Sequence, residues 1–192
     1  MPAVFLRQYQ FSMVDPLVLR PLERGQIPQA FPLVRSVLPD TSLSRWTDFA
    51  RAHTLERVGR GIMAAHNQAG YITGIFTHEV RDELALGRTL SVANLMVADF
   101  PGRDKTADHL IDGMLSLSNM RGCAAIVASL DIAFFENLPT CAWALPRFIQ
   151  AGFDPSGTSQ CRKILSIPRV GAGFHQLNQQ AESLPKDRPP RR

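Results

Sequence analysis

Residues 95–111 read LMVADFPGRDKTADHLI, an apolar run followed by a turn and an amphipathic stretch. The apolar run predicts a strand, and the Pro-Gly pair at positions 101 and 102 predicts the turn. The remainder predicts a helix, because apolar residues recur at helical spacing on one stripe: Ala107, Leu110, Ile111, Met114 and Leu117. A helix that follows a strand through a short turn presents its first unpaired N–H groups together, and such a group of donors binds phosphate.

The turn has two interpretations. In the first, backbone N–H groups and the cations of Arg103 and Lys105 hold a phosphate-bearing ligand. In the second, the segment is an ordinary helix start capped by Asp104, with no ligand. The residues alone leave both interpretations open. The helix is predicted to end near Arg121 and Gly122, a cation in the last turn followed by a glycine.

The chain before this stretch predicts one strand, two helices and three more strands. The first helix is expected to be short or kinked because it contains Pro28 and Pro32, and Ser44 is the expected N-cap of the second. A tight turn joins the first two of the three later strands into a hairpin. In chain order the elements span residues 16–22, 25–38, 44–53, 59–67, 70–80 and 89–99.

The chain after the long helix predicts a strand, a helix and a strand. Residues 123–130 are continuously apolar, which is typical of a strand covered on both faces. A short helix ends at Gly152, and residues 160–167 form the last predicted strand. The order of elements predicts a mixed α/β fold, in which the long helix crosses over between two strands that lie parallel.

Composition favours one domain. A chain of 192 residues with 45% hydrophobic and 20% charged residues suits a single core. We predict an N-terminal extension at 1–15, the domain at 16–167, and a basic Pro-rich tail at 168–192 that is disordered. No apolar stretch is long enough to span a bilayer and no signal-peptide pattern is present, so we expect a cytoplasmic protein without a membrane partner.

Charge and cysteines exclude several classes of protein. The formal net charge is +4, and part of the excess lies in the tail, LPKDRPPRR, which gives only weak attraction to polyanions. No nucleic-acid-binding motif accompanies it, so nucleic acid is not an expected partner. Cys123, Cys141 and Cys161 are widely spaced and form no metal-binding pair. We expect reduced thiols and no metal site.

Three segments together resemble the GCN5-related N-acetyltransferase (GNAT) superfamily. They are VLRPLERGQI at 18–27, NLMVADFPGRDKTADHLI at 94–111 and RFIQAGFDPSG at 147–157. The resemblance implies a GNAT-like mixed, mostly antiparallel central sheet flanked by helices. It also implies an acyl-CoA-dependent N-acyltransferase that moves an acetyl or other acyl group from acetyl-CoA or another acyl-CoA to a primary amine. The acceptor would be a small molecule or a peptide.

The resemblance also implies which residues contact the cofactor. It places Gly102 at the family's Gln or Arg position of the pyrophosphate loop, Lys105 at its inner glycine and Ala107 at its last small position. The N–H groups from Arg103 through Asp104 and Thr106 to Ala107 would then face the pyrophosphate. A register shifted by one residue places Arg103 at the Gln or Arg position, but it puts Thr106 and Asp108 where small residues belong.

The same resemblance assigns the pantetheine arm to a strand. Backbone groups of Leu95, Met96 and Val97 would pair with the arm, and the acyl thioester would lie near Asn94. The alternative interpretation is that these apolar residues only fill the core. For their side chains, both interpretations are compatible.

Catalytic residues are weakly indicated. Many family members have a tyrosine four residues before the Gly-Phe pair, and this chain has Phe148 there, which donates no proton. Candidates for a general base are the strand-end residues Glu79 and Asp99, with His78 beside them, although each is also typical of an exposed strand end. His66 and His109 are expected on the surface.

An aromatic segment, DIAFFENLPTCAW at 131–143, is longer than the family requires at that point. It is interpreted as a lid over the acceptor, a surface of a homodimer, or packing. Two alternatives to the enzyme remain. One is a non-catalytic acyl-CoA-binding or dimerisation module of the same fold, and the other is a regulatory protein that binds no CoA.

Overall fold

The computed structural model describes residues 17–54, 59–98, 101–130, 144–156 and 160–165. Within these ranges the strands are β1 Val18–Pro21, β2 Arg60–His66, β3 Ile72–Glu83, β4 Gly87–Val97, β5 Ala125–Ser129, β6 Asp154–Ser156 and β7 Gln160–Ile164. The helices are α1 Ile27–Val37, α2 Leu43–Thr54, α3 Arg103–Met120 and α4 Ala144–Gln150. None of these helices is long and apolar enough to cross a bilayer.

The strands form one mixed sheet in the order β1-β2-β3-β4-β5-β7-β6. Neighbouring strands from β1 to β4 are antiparallel, as are β5 with β7 and β7 with β6. Only the pair β4 and β5 is parallel among the described strands, and α3 makes the crossover between them. The predicted mixed, mostly antiparallel sheet flanked by helices is confirmed.

Helices cover both faces of the sheet. On one face, α1 and α2 pack against β2, β3 and β4 through residues such as Val34, Ile62 and Ile75. This layer is fixed by Trp46, whose indole N–H donates to the carbonyl of Ile27 at 2.7 Å. On the other face, α3 and α4 cover a second apolar core. The predicted stripe of α3, from Ala107 to Leu117, lies buried in this core as expected.

Close packing of α3 on the sheet depends on Gly74 in β3. A Cβ atom built at Gly74 would lie 2.8 Å from Leu110 Cδ1 and 2.9 Å from Thr106 Cγ2. Side chains larger than hydrogen would therefore push the first turns of α3 away from β3. This glycine sets the distance between the start of α3 and the end of β4, since Gly74 pairs with Val97.

Several predicted details were wrong. The N-cap of α2 is Ser42 and not Ser44: the Ser42 hydroxyl accepts from the N–H of Arg45 at 3.2 Å. Strand β6 was not predicted, because three exposed residues that include Pro155 carry no alternating pattern. Helix α1 continues for 11 residues through Pro32. The N-terminal extension, the 131–143 segment and the Pro-rich tail lie outside the described residues.

Candidate functional site

Strand β4 contains an extra residue at Asn94. Ile75 of β3 pairs with Met96, and Thr77 pairs with Ala93, so two residues of β4 lie opposite one residue of β3. Asn94 has a φ of 50°, the left-handed region that asparagine tolerates better than most residues. This is a β-bulge, and it interrupts the strand at the position where the thioester was predicted to lie.

Two hydrogen bonds hold the bulge in place. The side-chain amide of Asn94 donates to the hydroxyl of Thr77 at 3.0 Å. The Thr77 hydroxyl donates in turn to the carbonyl of Ala93 at 2.9 Å. Because the Asn94 amide and the Thr77 hydroxyl each donate to a neighbouring oxygen, these hydrogen bonds stabilise the left-handed conformation of Asn94.

Strand β4 separates from β5 just before the bulge. The two strands pair from Thr89 with Ala125 to Val92 with Ala128, and no later residue of β4 pairs with a described residue of β5. From Ala93 onward, one backbone edge of β4 therefore lacks a neighbouring strand in the described part of the chain. Such an edge presents N–H and C=O groups to any extended ligand that lies between the two strands.

Helix α3 starts at the same end of β4. Gly102 precedes the helix with a φ of 108°, and the N–H of Thr106 donates to its carbonyl at 3.1 Å. The first N–H groups of α3 have no intrahelical acceptor, and the helix dipole adds partial positive charge beside them. The predicted cap by Asp104 is absent from α3, whose N-cap is Gly102 without a side-chain hydrogen bond.

The side chains predicted to contact the cofactor point in different directions. Lys105 and Asp104 are exposed, and Arg103 is half-buried. Thr106 and Ala107 are buried in the contact between α3 and the sheet. Neither side chain is therefore available to a ligand, and the N–H of Thr106 already donates to the carbonyl of Gly102.

Arg147 of α4 links α4 to the start of α3. Its guanidinium lies 2.5 Å from a carboxylate oxygen of Asp104 and 2.9 Å from a carboxylate oxygen of Asp108. Asp108 is on the exposed face of α3, as the preferred loop register requires. Because Arg147 offsets both carboxylates, the acidic residues in the first two turns of α3 repel an incoming phosphate less.

Phe148, the residue at the usual tyrosine position, is fully buried. Its ring makes an edge-to-face contact with Phe153, with ring centroids 5.0 Å apart. It has no proton to donate, so this position contributes packing rather than acid chemistry.

Glu79 lies on β3, two residues beyond Thr77. Its carboxylate accepts two hydrogen bonds from Arg81, at 2.9 and 2.5 Å. The Arg81 hydrogen bond is the main cause that lowers the pKa of Glu79, and the charges of Arg81 and Arg60 lower it further. Glu79 is therefore ionised at neutral pH and already engaged. The other candidate base, Asp99, lies outside the described residues.

The predicted surface position of three histidines needs correction. His78 and His66 are buried, and His109 is half-buried. Burial is the largest cause that lowers the pKa of His78, to about 4, and the charge of Arg121 adds to it. His78 is therefore neutral at pH 7. Within the described ranges, no cluster of three His, Cys, Asp or Glu side chains is placed to hold a metal ion.

A cavity of about 530 Å³ lies on the other side of the bulge, between β4, α1 and α2. Asn94 and Met96 belong to its lining, and seven of the eleven described residues that line it are apolar. Its charged lining residues are Asp40 and Arg45, both exposed. The sequence analysis did not identify this cavity, because its residues come from three separate segments and carry no common motif.

Hydrogen bonds through His53 support one aromatic wall of the cavity. Phe49 lines the cavity, and its ring stacks on His53 with centroids 4.1 Å apart. Arginine only donates, so His53 Nε2 accepts from Arg60 at 3.0 Å, and Nδ1 carries the proton that is donated to the Phe49 carbonyl at 2.9 Å. This arrangement fixes the orientation of the His53 ring and supports Phe49 from behind.

The fold is similar to that of many solved structures, although no protein-family model and no curated sequence matches the chain. An aminoglycoside 6′-acetyltransferase type Ii superposes with a TM-score of 0.60 at 12% identity, over 77% of this chain and 96% of that one. A ribosomal-protein-alanine N-acetyltransferase from Brucella melitensis gives 0.58 at 14%, over 77% and 99%.

A third structure carries a cofactor. The Salmonella typhimurium protein yncA, solved with acetyl-CoA, gives a TM-score of 0.57 at 11% identity, over 78% of this chain and 94% of that one. At these identities the likeness shows the fold alone, which is the GNAT fold expected from the sequence. Similar structures include N-acetyltransferases, and an aminoglycoside N-acetyltransferase and yncA were solved with CoA and acetyl-CoA respectively.

Proposed function

We propose that the chain is a divergent GNAT enzyme that transfers an acetyl or other acyl group from CoA to a primary amine. The observation that carries the proposal is the bulge at Asn94. At this point β4 has a backbone edge that pairs with no described residue of β5, and Asn94 of the bulge lines the cavity on the α1 and α2 face. A donor lying between the strands and an acceptor in the cavity would thus approach each other at one residue.

The residues around the start of α3 fit the pyrophosphate of CoA. Gly102 adds no side chain where the backbone would approach a phosphate, and Lys105 is exposed beside it. Arg147 offsets the charge of Asp104. We therefore propose these cofactor contacts: backbone groups of Leu95, Met96 and Val97 for the pantetheine arm, and Gly102, Arg103, Asp104, Lys105, Thr106 and Ala107 for the pyrophosphate.

The reaction needs few groups from the protein. Acyl-CoA, when bound, supplies the thioester: the N–C bond to the amine forms, the C–S bond breaks, and the CoA thiol takes up one proton as the amine loses one. A thiol is a good leaving group, so Phe148 does not prevent transfer. Glu79 and Asp99 remain the proposed bases, and Glu79 would act through water because Arg81 occupies its carboxylate.

A second candidate is a non-catalytic acyl-CoA-binding module of the same fold. Two observations favour it: Phe148 is buried among apolar residues, and the carboxylate of Glu79 is engaged by Arg81. Binding of acetyl-CoA is common to both candidates, whereas release of CoA on addition of an amine belongs to the enzyme alone.

Calorimetric titration with acetyl-CoA tests the proposed cofactor site. We expect micromolar binding by the unmodified protein and about tenfold weaker binding by Lys105→Glu, because the substitution replaces a charge-assisted contact with repulsion. Arg35→Glu is the matched control, since it makes the same charge change at an exposed position on α1.

Three results would contradict the proposal in different ways. Failure of the unmodified protein to bind acetyl-CoA would exclude both candidates. Equal weakening by Arg35→Glu would show that net charge and not the start of α3 controls binding. Binding without CoA release across a panel of amines would favour the non-catalytic module.

A further inference from the structure

The lining of the cavity on the α1 and α2 face limits the charge of an acceptor. Among the described residues that line it, the only carboxylate is Asp40, and the guanidinium of Arg45 lies on the same lining. The remaining polar lining residues, Thr41 and Asn94, are uncharged. An amine with several positive charges would therefore find one acidic partner beside one repelling cation.

The walls of the cavity are apolar and supported from behind. Trp46 and Phe49 of α2 form one wall, with ring centroids 6.1 Å apart, and Met96 of β4 lies at the opposite side. Trp46 is fixed by its hydrogen bond to Ile27, and Phe49 by its stacking on His53. A hydrophobic acceptor would bury its surface against these side chains, whereas extra ammonium groups placed there would lose hydration without an ionic partner.

The lining residues of the cavity differ in their exposure to solvent. Asn94 and Met96 lie where the acyl group is proposed to be delivered, while Asp40 and Arg45 are exposed to solvent. An acceptor whose amine reaches Asn94 must place the rest of its body against the apolar walls. A volume of about 530 Å³ accommodates such a body at the size of a small metabolite.

From this lining we infer that the acceptor is a monoamine with an apolar aliphatic or aromatic body, and that polycationic amines are poor acceptors. The inference rests on the proposed function, because it assumes that acyl transfer occurs at the bulge. It adds the class of acceptor, which neither the fold nor the start of α3 determines.

Acetyl transfer measured as CoA thiol release tests the inference. The assay uses saturating acetyl-CoA with 2-phenylethylamine and isopentylamine on one side, and spermidine and kanamycin on the other. We expect kcat/KM to be at least about tenfold higher for the apolar monoamines, which is the discrimination that a hydrophobic pocket achieves.

Arg45→Glu tests the role of charge in that preference. Adding a second carboxylate to the lining should raise kcat/KM for spermidine relative to 2-phenylethylamine by about threefold or more, by attraction at a partly screened site. Arg51→Glu makes the same change on an exposed position of α2 outside the cavity and should leave the ratio unchanged. Melting temperatures of both variants verify that they remain folded.

Each outcome distinguishes the inference from the proposed function. Equal or faster transfer to spermidine or kanamycin overturns the inference while the enzyme stands. Bound acetyl-CoA with no transfer to either class of amine also overturns it. If calorimetry finds no binding of acetyl-CoA at all, the proposed function fails and the inference fails with it.

Discussion

The two halves of β4 differ in how they pair with the neighbouring strands. Residues 87–92 form regular ladder pairs with β3, and within this half Thr89 to Val92 also pair with β5. Residues 93–97 pair with β3 alone and contain the bulge at Asn94. The first half is an ordinary interior strand. The second half contains one extra residue, and its edge toward β5 has no partner among the described residues.

The bulge also exchanges the faces of the strand. Leu90 and Val92 pack on the α3 side, and strict alternation would send Asn94 and Met96 to the same side. Instead, Leu95 and Val97 pack on the α3 side, and Met96 packs on the α1 and α2 side. One inserted residue thus turns Asn94 and Met96 toward the cavity while the apolar core continues without interruption.

The largest expected effect comes from a substitution at Gly74 of β3, which pairs with Val97 in the second half of β4. Gly74→Ala should lower the free energy of unfolding by about 1–3 kcal/mol, because the added Cβ meets Leu110 and Thr106 under 3.0 Å. It should also weaken acetyl-CoA binding, since the start of α3 must move. Urea unfolding and calorimetry measure the two effects.

Gly25→Ala is the control for this change, because a Cβ at Gly25 meets nothing within 4 Å. It should leave the affinity for acetyl-CoA unchanged. A Gly74→Ala protein that is destabilised yet binds acetyl-CoA normally would show that the spacing of α3 and β4 serves stability only.

A smaller effect probes the first half through His78, which pairs with Val92. Its pKa is about 4 in the folded protein, against 6.5 for an unperturbed histidine. Below pH 6.5 the unfolded chain binds a proton that the folded chain does not bind. This contribution to stability is therefore complete above pH 6.5 and decreases as the pH falls toward 4.

From pH 7.5 to pH 5, we expect His78 to account for a loss of about 2 kcal/mol in the free energy of unfolding. His78→Gln removes the titrating group, so its stability should fall less over the same range. The buried His66, whose pKa is also lowered, remains in both proteins and cancels from the comparison. Identical pH profiles of the two proteins would show that the pKa of His78 is the same in the folded and the unfolded chain.

Most of the fold followed from the sequence because long periodic segments dominate it. The stripe of α3 and the apolar run of β5 each match one pattern over many residues, and both elements were predicted. Short features were missed because they extend over too few residues to show a periodic pattern. Strand β6 has three residues, and the cap at Ser42 differs from Ser44 by two positions.

The candidate site was less predictable. The start of α3 was identified from its turn, but the cavity on the opposite face depends on contacts among α1, α2 and β4 that no local pattern shows. The burial of Thr106 and Ala107 likewise depends on Gly74, 32 or more positions earlier in the sequence. One local signal was available: asparagine inside the apolar run of β4 is depleted in strands and tolerated in bulges.

The smallest expected effect comes from Asn94→Gly, which tests whether the backbone shape of the bulge or the side-chain hydrogen bond of Asn94 matters. Asn94→Gly keeps a residue that adopts positive φ without strain, so the bulge should persist and only the bond to Thr77 is lost. We expect a loss of about 1 kcal/mol in the free energy of unfolding and near-normal acetyl-CoA binding.

Asn94→Val is the matched substitution that disfavours the left-handed backbone conformation at this position. A β-branched residue does not tolerate this φ, and the strain of about 1–2 kcal/mol adds to the lost hydrogen bond. Calorimetry should find weaker acetyl-CoA binding for Asn94→Val than for Asn94→Gly. If both variants bind as tightly as the unmodified protein, the site requires neither the amide nor the left-handed backbone of Asn94, and the difference between the two halves of β4 lies in the β5 pairs alone. If both bind equally weakly, the site requires the amide and not the backbone shape.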